Sequence, residues 1–78
     1  MMQSKKLNRA LISGKVVVKN FTCGEVMVKV PLREGGVRTI FIPAHGETEL
    51  APKFTDAMLL QRSPNLGRLL YRGQLRVQ

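Results

Sequence analysis

The groups in this chain that could move a proton, attack a carbon or hold a metal are one histidine, one cysteine and five carboxylates. His45 lies in a turn between Pro43 and Gly46, with Glu47 and Glu49 close behind. A general base needs a group within hydrogen-bond reach on which to act. No nucleophile stands near His45 in sequence, so it reads as an exposed turn residue. Cys23 stands between Thr22 and Gly24, with Lys19 the nearest base. Thiolate chemistry needs an exposed, electropositive setting, and a turn between two small residues reads as a place for a half-buried filler. One histidine and one cysteine fall short of a zinc ligand set. Glu47 and Glu49 share a face of a short strand, and two carboxylates without other oxygen donors are too few for calcium or magnesium. The run Arg33, Glu34, Gly35, Gly36 lacks the length, the terminal lysine and the strand-to-helix setting of a phosphate loop. With no nucleophile, base and orienting group in one constellation, the reading is a non-enzymatic protein with no cofactor and no metal.

What remains is contact chemistry, and arginine dominates it. Arg68 and Arg72 are one helical turn apart, and Arg62 precedes them. Arginine forms bidentate bonds to carboxylate or phosphate. The chain carries 13 lysines and arginines against 5 acids, for a formal charge of +8. The charge is not evenly spread. Lys5, Lys6, Arg9, Lys15 and Lys19 open the chain without an acid, and Arg62, Arg68, Arg72 and Arg76 close it without one. Basic ends of this kind meet nucleic acid, an anionic membrane or an acidic protein surface, or simply keep the protein soluble. With three phenylalanines, one tyrosine and no tryptophan, and Phe54 assigned to the core, the stacking platform of a single-strand binder is missing. The leucine-rich segment after Pro64 does not read as a helix-turn-helix recognition helix.

The elements that must position these arginines follow from local signals. Seventy-eight residues make one small domain, with no intrachain disulfide to support it. Residues 1–14 read as a basic N-terminal arm, in which Leu7, Leu11 and Ile12 are the apolar anchors and Gly14 the end. Residues 15–78 read as a single β-rich domain. The run KVVVKNF is a β-branched strand. From residue 25 to 32, Val26, Val28, Val30 and Leu32 alternate with Glu25, Met27 and Lys29. A hairpin loop at residues 33–36 supplies glycines for positive φ. The return strand, residues 37–42, has Val37, Thr39 and Phe41 on one face and Ile40 and Ile42 on the other, and its two apolar faces predict a central strand. A short strand at 47–50 leads to a helix at 53–61, with Phe54, Ala57, Met58 and Gln61 on one side.

The last segment is marked at both ends. Ser63 can cap a helix, Pro64 suits its first position, and Gly73 suits its left-handed end. Leu66, Leu69 and Leu70 recur at helical spacing. Alternation then returns, with Leu75 and Val77 on one face of a terminal strand. The fold class is therefore α+β: a small antiparallel, hairpin-based sheet, two short helices and a C-terminal strand. The predicted core is Val26, Val28, Val30, Ile40, Phe54, Met58, Leu66, Leu69 and Leu70. The opening segment has no apolar stretch of signal-peptide length, and no run approaches a membrane span. The expectation is an intracellular chain, or one assembled into a particle inside a cell.

Residues 42–50, IPAHGETEL, and 62–75, RSPNLGRLLYRGQL, resemble small virion proteins of tailed bacteriophages. In those a hairpin leads to an isoleucine-proline-x-x-glycine-glutamate-threonine turn, a helix, and a serine-led leucine-arginine helix that closes on glycine-leucine. The likeness covers residues 20–77 and leaves the basic arm outside. It implies a structural subunit of a head, neck or tail, located in the virion and assembled in the host cytoplasm, and it carries over no catalytic residue.

The expectation is thus a particle subunit with other virion proteins as partners, in a homo- or hetero-oligomeric assembly away from membranes. Its sheet edge and basic ends would make the contacts. Lys5, Lys6, Arg9, Leu11 and Ile12 would dock the arm on acidic and apolar groups of a neighbour, and Arg62, Arg68 and Arg72 would serve the other end. The alternative is a small basic nucleic-acid-binding accessory protein, binding weakly and without sequence preference. A third reading is a small phage-encoded inhibitor of a host protein.

Overall fold

The computed structural model describes residues 9–10 and 12–78. Lys5, Lys6 and Leu11 lie outside the described residues. The fold is α+β, in the order β1 (Val16–Asn20), β2 (Val26–Pro31), β3 (Val37–Ile42), β4 (Glu47–Ala51), α1 (Ala57–Leu60), α2 (Pro64–Tyr71) and β5 (Leu75–Val77). A helical turn precedes β1 and ends where the Gly14 amide donates to the Ala10 carbonyl at 2.8 Å. The strands form two sheets. In one, β1 lies between β4 and β5 and is antiparallel to both; the other is the β2–β3 hairpin.

Alternation decides what each strand buries. Val16, Val18 and Asn20 of β1, Val26, Val28 and Val30 of β2, and Leu75 and Val77 of β5 all turn inward. They meet Ile40, Ile42, Leu50, Ala57, Leu60, Leu66 and Leu70 in one core. Full burial of an aliphatic side chain contributes about 1.5–3 kcal/mol, so this cluster is what holds two small sheets together. Ala10 joins it at 7% exposure, so this one residue of the expected arm is part of the domain core.

The helix beginning at Pro64 forms as its punctuation predicts. The Ser63 hydroxyl accepts from the Leu66 amide at 3.2 Å, and proline occupies the first turn. Gly73 has φ +74°, and the Gln74 amide reaches the Leu69 carbonyl at 3.0 Å. That left-handed residue closes the helix and releases the chain into β5.

Three expectations need correction. The helix expected over 53–61 is only α1, because the backbone is extended at Asp56, with φ −91° and ψ 146°, and the helix starts after it. The helical register then buries Ala57 and Leu60 and leaves Met58 67% exposed. Phe54 and Leu69 pack against the core only in part. The strand read as central, β3, pairs among the described residues with β2 alone, as an edge.

A buried polar residue ties the two sheets together. The Asn20 side chain is fully buried at the end of β1. Its Nδ2 reaches the Gly24, Ile42 and Pro43 carbonyls at 2.8, 3.0 and 3.0 Å, and its Oδ1 accepts from the Thr22 amide at 2.8 Å. Asn20 thus fastens β1 to the point where the chain leaves β3. An amide buried without such partners would cost about 1–3 kcal/mol per stranded group.

Candidate interaction surface

The two edges of the hairpin differ, and the difference is built from side chains. On the outer edge of β2, the Lys29 amide donates to Asn65 Oδ1 at 2.9 Å, and the Lys29 carbonyl accepts from the Ser63 hydroxyl at 3.0 Å. The Thr55 hydroxyl donates to the Pro31 carbonyl. Ser63 therefore does two tasks: its oxygen caps α2, and its proton satisfies a strand. The helical half of the chain covers β2 at Lys29 and Pro31 in place of a third strand. Arg33 adds a latch from the hairpin loop: its Nε donates to Asp56 Oδ1 at 2.6 Å, and one Nη donates to the Pro52 and Thr55 carbonyls at 2.9 and 3.2 Å. Both charged side chains are about half exposed, so this pair is worth at most about 1 kcal/mol.

The outer edge of β3 has no such cover. Lys29 stands opposite Thr39, and Pro31 opposite Val37. Residues opposite each other in an antiparallel pair either exchange hydrogen bonds or both point away. Since the backbone groups of Lys29 point away from β3, those of Thr39 point away from β2, and the two-residue period extends this to Val37 and Phe41. Among the described residues nothing bonds to these groups. The side chains beside them are apolar and open: Val37 is 62% exposed, Phe41 54%, and Met27, opposite Phe41, 56%.

Basic residues gather around the same hairpin. A groove of about 270 Å³ is lined by Lys29, Arg62, Arg68 and Asn65, with Pro31, Val37 and Pro64 among its apolar walls. Of the predicted contact residues, Arg62 and Arg68 meet here, joined by Lys29, which sequence reasoning did not select. Arg72 is exposed at the far end of α2 and does not line this groove. Arg9 lines a separate groove of about 580 Å³ with Ser13, Lys15, Val17 and Gln78. Ile12 is 88% exposed, while its neighbour Ala10 is buried.

The aromatic residues also differ from expectation. Phe54 is a partly covered rim residue, with the Arg38 guanidinium 4.9 Å and the Lys53 ammonium 5.3 Å from its ring centre. Phe21 is 42% exposed, with Arg76 at 4.5 Å and Lys19 at 5.3 Å from its ring centre. Tyr71 is 75% exposed. The four aromatics stand on four different segments rather than along one strand face.

The two residues weighed for catalysis are both exposed. His45 is an exposed turn residue with φ +61°. Cys23 is a free, exposed thiol, not the half-buried filler expected. Among the described residues no group of three or more His, Cys, Asp and Glu side chains gathers where a metal could be held. Among the same residues no helix is long and apolar enough to cross a membrane.

Met27, Lys29, Val37 and Phe41 carried a usable signal, because each sits at an outward position of the alternation. The signal was obscured by reading apolar residues on both faces of β3 as the mark of a central strand. No protein-family model, no curated protein and no solved structure matches this chain, so the functional reading rests on its own residues and geometry.

Proposed function

We propose that this protein is a non-enzymatic structural subunit of a tailed-phage particle, joined to its neighbours through the open edge of β3 and its basic ends. The observation that carries the assembly reading is the asymmetry of the hairpin. Ser63, Asn65 and Thr55 cover β2 at Lys29 and Pro31, yet among the described residues nothing covers β3 beside Val37 and Phe41. An uncovered edge flanked by apolar side chains is a template for another strand, and folded monomers usually blunt such edges. The particle itself is inferred from the resemblance at residues 42–50 and 62–75. Quantitative mass spectrometry of purified particles tests the reading. It expects the protein at a fixed copy number relative to the other virion proteins, and the reading fails if the protein stays in the lysate.

One observation favours a second reading. Phe21 is exposed between Arg76 and Lys19, and stacking with cationic flanks is a means of holding single-stranded nucleic acid. Binding of this kind weakens steeply as salt rises. A gel-shift assay at low salt with single-stranded and duplex DNA separates the two readings. The particle reading expects weak, sequence-independent retardation at most. Tight binding abolished by Phe21→Ala would favour nucleic acid as the partner.

A further inference from the structure

The open edge of β3 is complementary to itself. We infer that β3 pairs antiparallel with β3 of a second copy, with Thr39 facing Thr39 on the two-fold axis and Val37 facing Phe41. This deepens the assembly reading, and rests on it for the claim that the edge is an interface.

The register follows from which groups point outward. With Thr39 on the axis, the outward amides and carbonyls of Val37, Thr39 and Phe41 all find partners. Shifting the pair towards the hairpin loop sets Arg38 opposite Arg38, and like charges directly opposed are destabilising. Shifting it the other way sets Val37 against Pro43, which has no amide proton to give. The chosen register alone satisfies every outward group without opposing like charges.

The faces agree with this pairing. Met27 and Phe41 are opposite each other in one copy, as are Pro31 and Val37. Across the axis, the Met27–Phe41 row of one copy continues into the Val37–Pro31 row of the other. Two apolar rows then flank a central row of Lys29, Thr39, Thr39 and Lys29. The two copies of Lys29 stand three strand spacings apart, about 14 Å, which exceeds the screening length of about 8 Å at physiological salt. Arg38 lies on the other face, stacked on Phe54 at 4.9 Å. The pairing thus sets no like charges directly opposite each other, although Arg62 and Arg68 line the groove beside Val37 and each copy carries a formal +8. Long-range repulsion between the copies makes the dimer tighter as salt rises, opposite to nucleic-acid contact.

Sedimentation equilibrium of the full chain carrying Cys23→Ser tests this, from micromolar to millimolar concentration and at two salt levels. The expected result is a reversible monomer–dimer equilibrium that tightens with salt. Thr39→Pro removes an edge amide that no other group in the described fold uses, and should weaken association by about tenfold or more. Phe41→Lys, which keeps the backbone intact, should weaken it too. In the same background Thr39→Cys should form a disulfide-linked dimer, and Val37→Cys should cross-link to Phe41→Cys but poorly to itself. A protein that stays monomeric throughout overturns the inference. So does a dimer indifferent to both Thr39→Pro and Phe41→Lys, or one whose cross-links follow another register. A dimer of this kind that is absent from purified particles overturns the particle reading alone. A monomer found stoichiometrically in particles overturns this inference alone.

Discussion

The two edges of the β2–β3 hairpin meet different fates within one chain. At β2, the Lys29 amide and carbonyl and the Pro31 carbonyl are satisfied by Asn65, Ser63 and Thr55. At β3, no described residue performs the same service for Val37, Thr39 or Phe41. The helices explain the difference. Leu66 and Leu70 anchor α2 in the core, and that anchoring carries Ser63 and Asn65 to the edge of β2. Among the described residues nothing is anchored on the side of β3. Backbone polarity is satisfied by side chains on one side and, among the described residues, left open on the other.

The sharpest way to break this comparison is to remove the anchor. Leu66→Ala should destabilise the fold by about 2–5 kcal/mol in denaturant unfolding, because Leu66 is 2% exposed and leaves a cavity. A loss below about half a kcal/mol would mean that α2 does not hold the edge through its core face. Leu66 is a stronger probe than Leu69, which is only partly buried.

Asn20→Ala should come next, at about 3 kcal/mol, since it removes the buried hydrogen bonds to the Gly24, Ile42 and Pro43 carbonyls and from the Thr22 amide where the hairpin joins the other sheet. Thermal unfolding measures it. An unchanged midpoint would show that the two sheets cohere without that side chain.

Ser63→Ala should cost about 2 kcal/mol, because one substitution removes a helix cap and the donor to the Lys29 carbonyl. Ser63→Gly, which costs a capping helix only a few tenths of a kcal/mol, helps to divide the two parts. If Ser63→Gly is as mild as a pure cap loss, the closure of β2 contributes nothing to stability.

The smallest effect belongs to the open edge. Phe41→Thr should change monomer stability by no more than about 0.5 kcal/mol, as a surface substitution away from the core. A large loss in dilute solution would place Phe41 in a contact within the monomer.

These contrasts also mark what the sequence could convey. Ser63, Pro64 and Gly73 act on groups within a few residues of themselves, and the helix they define lies where their spacing places it. The alternation of β2 was legible for the same reason. Asn20 reads as one more residue of the strand KVVVKNF, because two of its acceptors lie more than twenty residues away and no local pattern announces them. The helix expected over 53–61 is cut short at Asp56, which is extended and whose carboxylate is held by Arg33 from twenty-three residues away. Whether β3 is central or an edge depends on which strands reach it, and side-chain alternation does not encode that. Of the contact residues, Arg62 and Arg68 were legible as exposed helix-flanking bases. Lys29 joins them only because Ser63 and Asn65 draw α2 onto β2.

Amide hydrogen exchange at Lys29 and Thr39, opposite each other in the hairpin, tests the central contrast most directly. In dilute solution the Lys29 amide should be protected through its bond to Asn65, and Asn65→Ala should remove that protection. The Thr39 amide should exchange near the rate of an open chain, and slow as concentration brings copies together. A Thr39 amide already as protected as Lys29 in the dilute monomer would contradict the account. So would a Lys29 amide that exchanges freely.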